Sequence, residues 1–413
     1  MNKAILAGIN LNKNEQEFNI VLEETKQLCN ACNIEVIEVC TQKSKSLNSK
    51  IAFGKGKLEE LKELVYKHNV DCVVFYNNLN VAVLSRIQNE IGVQVIDRTN
   101  LILDIFSIRA KTKEAKLQTQ MARLQYDLPK IYLQEFDADR ERGGSDQSRG
   151  AGETKLELAR RNVEKEISNI KRQLDLLRIS NKERSKRRNQ TFIKSVSLVG
   201  YTNAGKSSLM NLILKYNSRS EDKFVEEKDM LFSTLDTSIR NVSYNNKSFL
   251  LFDTVGFVSD LPHELIEAFK STLDAVNDAD LLIHVIDASD PYYDEQRDIT
   301  YETLKTIKAD NIPVIEVYNK ADLLEYRDEH LRYISCVSEE GILELLELII
   351  NTLYPKDYSF KIKLPYKDQY LLDKYNNHLQ ITSIENKEDG SIISIVGDKI
   401  VYDAFFNYKE GLF

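Results

Sequence analysis

No stretch of this 413-residue chain comes near the ~20 consecutive apolar residues that a membrane-crossing helix needs. The first apolar stretch, Ala4 to Ile9, is shorter than the ~7 to 15 residues of a secretion-signal core. Membrane spanning and secretion are therefore not expected, and a cytoplasmic protein is. Cysteine is scarce and odd in number: Cys29, Cys32, Cys40, Cys72 and Cys336. Such usage in a long chain predicts free thiols in a reducing compartment. Cys29 and Cys32 form one CxxC, but no second pair or nearby histidine completes a tetrahedral zinc shell, so they read as helix-packing thiols. The five histidines, His68, His263, His284, His330 and His378, are scattered without partners and read as structural or surface residues. No fixed-period repeat is present.

What is there suffices for two to four domains at ~150 residues each. The formal net charge of -8 hides a segregation, because residues 109–194 carry 22 Lys+Arg against 13 Asp+Glu, an excess of +9. The remainder sums to -17. A polyanionic partner should therefore be met by that one segment.

Up to about residue 98, short apolar runs (Ala4 to Ile9, Ile34 to Val39, Cys72 to Tyr76, Val93 to Ile96) alternate with helical patterns at Gln16 to Cys32, Lys57 to His68 and Val81 to Ile91. That is the pattern of a parallel α/β domain. From Leu101 the spacing changes. Leu117, Met121, Leu124 and Leu128, then Leu156, Ala159, Val163, Ile167, Ile170, Leu174 and Leu177, step by three and four, which predicts two seamed helices folded into an antiparallel hairpin. Between them Asp137 to Glu153 carries Gly143, Gly144, Gly150 and Gly152 with Arg140, Arg142 and Arg149, the composition of a flexible tip. The run Lys182 to Arg188 reads as a basic linker or a fraying helix end. Strands and helices alternate again from Phe192 to about Tyr354, and Asp389-Gly390 marks a hairpin turn in the remaining segment.

The strongest local signal is Gly200-Tyr-Thr-Asn-Ala-Gly205-Lys206-Ser207, a GxxxxGK[ST] between a predicted strand and a helix. Its backbone N–H groups can wrap phosphates at the positive end of the following helix. Lys206 reaches the β and γ phosphates and Ser207 binds Mg²⁺. A chance glycine turn is the competing reading, and the motifs that follow reduce it. Phe249 to Phe252 lead into Asp253-Thr-Val-Gly256, a DxxG that is weak alone. Val314 to Tyr318 lead into Asn319-Lys320-Ala321-Asp322, an NKxD. Asp322 offers two acceptor oxygens to the N1–H and N2–H₂ of guanine, which adenine cannot match, and Lys320 can lie over the base. Ser335-Cys336-Val337 can present N–H groups to guanine O6. Phe232-Ser-Thr-Leu-Asp236 lies between the P-loop helix and the DxxG strand, and Thr234 is the candidate for the mobile threonine that joins Mg²⁺ with GTP, against the alternative of a solvated loop threonine.

The expected fold is α/β: an N-terminal parallel α/β domain (1–100), a long antiparallel helical hairpin (101–190, tip 137–153), a P-loop GTPase domain (191–355) and a small C-terminal α/β or β-rich domain (356–413). The expected nucleotide contacts are Gly200, Tyr201, Thr202, Asn203, Ala204, Gly205, Lys206, Ser207 and Ser208, then Phe232, Ser233, Thr234, Leu235 and Asp236. Asp253, Thr254, Val255 and Gly256 follow, with Asn319, Lys320, Ala321 and Asp322 and the loop Ser335, Cys336 and Val337. Catalytic roles fall to Lys206, Thr234, Gly256 and Asn203, and Mg²⁺ to Ser207, Thr234 and Asp253.

The chain resembles the HflX family of ribosome-associated, translation-factor-related P-loop GTPases over about residues 50–355. The resemblance rests on Phe53-Gly-Lys-Gly-Lys-Leu-Glu-Glu-Leu61, Asp97-Arg-Thr-Asn-Leu-Ile-Leu-Asp-Ile-Phe106, Gly150-Ala-Gly-Glu-Thr154, the P-loop, Leu231-Phe-Ser-Thr-Leu-Asp236 and Asp253-Thr-Val-Gly-Phe257. Ala151 stands where the family usually has Pro, Ser233 and Cys336 where it commonly has Ala. The resemblance implies binding of the large ribosomal subunit and its RNA, with the hairpin tip near the peptidyl-transferase region, and splitting of stalled or hibernating ribosomes. It also implies ATP binding through the N-terminal region, where Gly54-Lys55-Gly56-Lys57 opens a predicted helix and reads either as a phosphate turn or as a structural one. Phe257, after the DxxG, occupies the position where many small GTPases carry a water-orienting Gln, so slow intrinsic hydrolysis is expected. Asn203 has two open readings, a K⁺ ligand as in potassium-stimulated relatives or a residue of loop geometry alone. A monomer is expected. The alternative function is a GTP-dependent RNA- or ribosome-binding module, or an assembly GTPase, with incidental turnover.

Overall fold

The computed structural model describes residues 2–11, 13–48, 50–141, 149–189, 193–217, 238–245, 247–254, 256–257, 276–375 and 379–409, the side chains of 130–156 and 181–189 excepted. The chain divides into two compact units, one built on Met1–Lys182 and the other on Glu183–Glu227, Thr237–Thr254 and Leu273–Phe413.

The first unit opens with an all-parallel sheet in the order β2-β1-β3-β4, formed by β1 (Asn2–Asn10), β2 (Ile34–Lys43), β3 (Cys72–Phe75) and β4 (Gln94–Ile96). Helices α1 (Glu15–Ala31), α2 (Lys55–His68), α3 (Val81–Ile91) and α4 (Arg98–Arg109) cover it. The central strand is apolar without alternation because both its faces are buried. Ala4 and Leu6 enter one core with Phe18, Leu28, Ile102 and Phe106, while Ile5, Ala7 and Ile9 enter the other with Phe53, Leu61 and Ile87. Helix ends follow local chemistry. Asn14 and Glu17 form a capping box on α1, and Asn80 caps α3, which stops at left-handed Gly92.

α4 belongs to this first core rather than to the hairpin, so the expected boundary near residue 100 falls inside it. The Asp97 to Phe106 signature is a mechanical joint. Asp97 accepts hydrogen bonds from the N–H groups of Leu79 and Asn100 and from the Tyr126 hydroxyl at 2.7 Å. Arg98 is 1% exposed and pairs with Glu24 at 2.9 Å while donating to Thr25 Oγ1. Arg123 donates to Asn100 at 2.5 Å and to Asp104 at 2.8 Å, so the base of α5 (Lys113–Glu141) is fastened to α4. Gln120 reaches Glu166 of α6 (Arg149–Asn189) at 2.7 Å, a pairing that an antiparallel run of the two helices gives. Within the predicted seam Ile170 is buried, whereas Ala159 is exposed and Val163, Ile167, Leu174 and Leu177 are half-buried. The run Lys182 to Arg188 is part of α6 and not a linker. The tip residues 142–148, Arg142 among them, and the side chains of Arg140 and Arg149 lie outside the described residues. At the Gly54 turn the Gly54 N–H is taken by Gln42 and the Lys57 ammonium by Glu60, as in a structural turn.

The second unit carries a sheet in the order β6-β7-β5-β8-β9, with β5 (Lys194–Val199), β6 (Ser238–Tyr244), β7 (Lys247–Asp253), β8 (Leu281–Asp287) and β9 (Val314–Asn319). Only the β6–β7 pair is antiparallel. Helices α7 (Lys206–Lys215) and α9 (Ile342–Leu353) share one core with the sheet, and α8 (Tyr293–Thr306) lies between β8 and β9 in sequence. Tyr333 bridges Tyr318 in parallel, a rudimentary extension beyond β9. The C-terminal element resolves as α/β: an antiparallel sheet β10-β12-β11 of β10 (Tyr358–Leu364), β11 (Leu379–Lys387) and β12 (Gly390–Gly397), packed with α10 (Tyr370–Lys374) and α11 (Lys399–Phe405). Its hairpin turn is Glu388-Asp389, one residue before the expected position, because Gly390 already pairs with Lys387.

Arg98→Ala should strip Glu24 of its buried partner and cost on the order of 3–5 kcal/mol, whereas Arg98→Leu combined with Glu24→Met should recover most of it. Hydrogen exchange of the β1 and β3 amides in the full chain measures both. Equal protection in wild type and Arg98→Ala would show that the ion pair bears no weight.

Candidate nucleotide site

The P-loop leaves β5 at Gly200, whose φ of +142° and approach to β8 exclude a side chain: a Cβ there would lie 2.2 Å from the Val285 carbonyl oxygen. Gly205, at φ +93°, is held under Asn319, whose Nδ2 a Cβ would meet at 2.2 Å. Asn203 is left-handed at φ +65°, a conformation asparagine tolerates better than most residues, which gives the loop-geometry reading a physical basis. Thr202 is buried and its hydroxyl has no hydrogen-bond partner among the described residues. Lys206 is folded inside the loop, donating to the carbonyls of Gly200 at 3.0 Å and Tyr201 at 2.6 Å. Burial lowers its pKa to about 8, with the Asp253 carboxylate opposing the fall. Ser207 donates to Asp253 Oδ2 at 2.7 Å, and both are buried. Thr254 ties the end of β7 to β5 through the Leu198 carbonyl.

The Asn319-to-Asp322 segment and the Ser335 loop assemble beside the P-loop. Asn319 is 2% exposed; its Nδ2 donates to the Ala204 carbonyl at 2.9 Å and its Oδ1 accepts the Cys336 N–H at 3.3 Å. Ser335 donates to Asp322 Oδ1 at 2.5 Å and accepts the N–H groups of Val337 and Ser338, so the Asp322 carboxylate is aimed by a buried hydroxyl. Ala321 is buried and its N–H is taken by Ile334, and Val337 is 83% exposed. The Lys320 ammonium pairs with Asp287.

Residues 195–320 match the family described as 50S ribosome-binding GTPase, residues 19–107 that described as GTP-binding GTPase N-terminal, and residues 109–188 its middle region. The GTPase HflX of Caldanaerobacter subterraneus subsp. tengcongensis is 40% identical over 369 residues, 88% of this chain and 84% of that protein. The chain belongs to the HflX GTPase family. The GTPase HflX of Escherichia coli is 34% identical over 385 residues, covering 90% of this chain and 88% of its own. A GTP-binding protein of Sulfolobus solfataricus, solved with GDP, is similar over 86% of this chain and 99% of its own, at 23% identity and a TM-score of 0.46.

As an HflX-family GTPase the chain binds and hydrolyses GTP. The Ser207 hydroxyl and Asp253 carboxylate are the hard oxygen donors that Mg²⁺ takes, and they would hold it; bound there, it supplies positive charge to the polyphosphate. Phe232, Ser233, Thr234, Leu235, Asp236 and Val255 lie outside the described residues; Gly256 and Phe257 are buried. All five cysteines are free, and burial pushes the Cys29, Cys32, Cys40 and Cys72 thiols up. His284 is buried edge-on to Tyr301, with its pKa lowered to about 3 by burial. Three residues beside the site, Asp287, Arg327 and Glu340, belong to none of the motifs. Asp287 ends an apolar strand beside the P-loop, a position that invites a site assignment. Arg327 grips Glu340 and the Ala321 carbonyl, which fastens the NKxD to the Ser335 loop; no local pattern marks that pair.

Polyphosphate binding should restore the Lys206 ammonium. Its pKa in the empty site lies below the ordinary lysine value, so the bound form takes up protons above pH 8 and affinity falls as pH rises. At pH 8.5 a group with a pKa of about 8 is about three-quarters neutral, and at pH 7 about one-tenth. GDP calorimetry in buffers of different ionisation enthalpy should therefore show a larger proton uptake at pH 8.5 than at pH 7, and no uptake at pH 8.5 would refute the buried-lysine account.

Proposed function

We propose that the chain is a cytoplasmic, monomeric GTP-hydrolysing switch that docks its helical hairpin on the large ribosomal subunit and splits stalled or hibernating ribosomes. The observation that carries this reading is the pairing of a GTPase domain of the 50S-binding kind with a stiff basic arm. Helix α6 alone has 41 residues, about 60 Å at 1.5 Å per residue, and the arm's base is bolted down by Arg123. Arginines at the tip suit RNA by bidentate phosphate contacts and stacking on unpaired bases.

In this reading the GTP-bound state, with Thr234 and Gly256 gathered on the γ-phosphate, holds a conformation that excludes subunit joining. Lys206 swings from the loop carbonyls to the phosphates, and hydrolysis releases the factor. Phe257 offers no hydrogen bond to a water, so the missing transition-state stabilisation, worth ~10³ to 10⁵ where an arginine supplies it, comes from the ribosome or from a K⁺ held by Asn203. Single-turnover hydrolysis in K⁺ and Na⁺ buffers, with and without 50S subunits, separates the two sources. Equal rates in the two cations would leave Asn203 to loop geometry, and no effect of ribosomes would favour a tether with incidental turnover.

Replacing Arg140, Arg142 and Arg149 by Gln should weaken 50S binding and reduce the slope of log K against log salt by about 2–3. Guanine-nucleotide affinity should hold. A triple variant that splits ribosomes as well as wild type at matched concentration would move the working surface elsewhere.

A further inference from the structure

We infer that Asp287 is a positioning residue for nucleotide binding: it anchors the Lys320 ammonium so that the lysine's hydrocarbon stem is held in place against the face of the base. The inference rests on the reading of Asn319 to Asp322 as the base-recognising motif. Register brings the pair together. Asp287 and Asn319 are direct partners in the parallel β8–β9 ladder, and the Ala288 N–H donates to the Asn319 carbonyl at 3.0 Å, so the turn after β8 lies against the start of the motif.

Lys320 has a left-handed backbone, φ +63° and ψ +31°, which a lysine adopts only under constraint. Glycine or asparagine fits that conformation with less strain, so the lysine is there for its side chain. Its ammonium lies 2.6 Å from Asp287 Oδ2, with the two side chains 28% and 14% exposed. The Asp287 carboxylate is itself pinned, because Oδ1 accepts the Ser289 N–H at 3.1 Å and the Ser289 hydroxyl at 2.6 Å. An unanchored lysine stem samples many rotamers, and a base that packs on it must first order it. Here the ordering is done by the fold.

This assigns two separable jobs. Asp322 reads the hydrogen-bonding edge of the base, and Asp287, acting through Lys320, serves its face. A contact with the face does not distinguish one purine from another.

The test is a double-mutant cycle on the full chain, read by dissociation of a fluorescent GDP. Asp287→Asn should raise the dissociation constant about 3- to 10-fold, the range expected for losing one ordered long side chain. The factor should be the same for GDP and IDP, because no edge contact is touched. In a Lys320→Met background, which keeps the stem and removes the charge, Asp287→Asn should have no further effect. Misfolding cannot produce that equality, since a damaged fold would add its loss in both backgrounds. Additive effects, or a factor that differs between GDP and IDP, would overturn the inference. Ser289→Ala separates the turn from the ion pair: a loss equal to that of Asp287→Asn would assign the effect to the turn and also overturn it. Asp322→Asn, with xanthosine diphosphate as ligand, tests the underlying reading. A switch from guanine to xanthine preference upholds it whatever the cycle shows, and no switch would show that the base motif itself is misread.

Discussion

The carboxamide of Asn319 makes the two hydrogen bonds on which the geometry of the nucleotide site depends. One reaches the P-loop at Ala204 and the other the Cys336 N–H, so three segments far apart in sequence share one buried amide. The amide also lies where a Gly205 side chain would be, so the P-loop sequence and the NKxD sequence constrain each other sterically. An aspartate at 319 would keep the acceptor and lose the donor to Ala204, setting a negative charge against a carbonyl. The ion pair of Asp287 with Lys320 and the grip of Arg327 on Glu340 then work on loops already fixed in place.

Electrostatically the empty site satisfies itself. Lys206 is buried yet has two carbonyls to donate to, and Asp253 is buried yet accepts from Ser207. Burying charged groups costs free energy that such contacts only partly return, which is visible in the lowered pKa of Lys206. A polyphosphate is a better partner for that ammonium than two neutral carbonyls.

The first unit solves a different problem, the attachment of a long lever. Ala115 and Ala122 of α5 enter the same core as Ile102 and Phe106, and Asp97, Asn100 and Asp104 add directional polar groups to Tyr126 and Arg123 of α5, with Arg98 and Glu24 paired in the core. The Asp97 to Phe106 stretch, which carries part of the family resemblance, is engaged inside the fold.

Local grammar was legible from the residues alone. The bounds of Val81 to Ile91 follow from Asn80 and Gly92, the fully apolar central strand announces a sheet buried on both faces, and the P-loop is recognisable within eight consecutive residues because its glycines and the helix it opens lie next to one another in sequence. The two long helices follow from their three- and four-residue spacing, although of the predicted seam on α6 only Ile170 is buried among the described side chains. What the sequence left undecided was partnership at a distance: that Arg98 meets Glu24, that Lys320 meets Asp287, that Arg327 spans to Glu340, and that α4 packs into the first core instead of beginning the arm. Each is a choice among many charged or apolar residues of the same type. Strand register and helix packing make that choice, because a side chain's partner is set by which backbone lies within a few ångströms of it, and that distance exists only once the chain has folded.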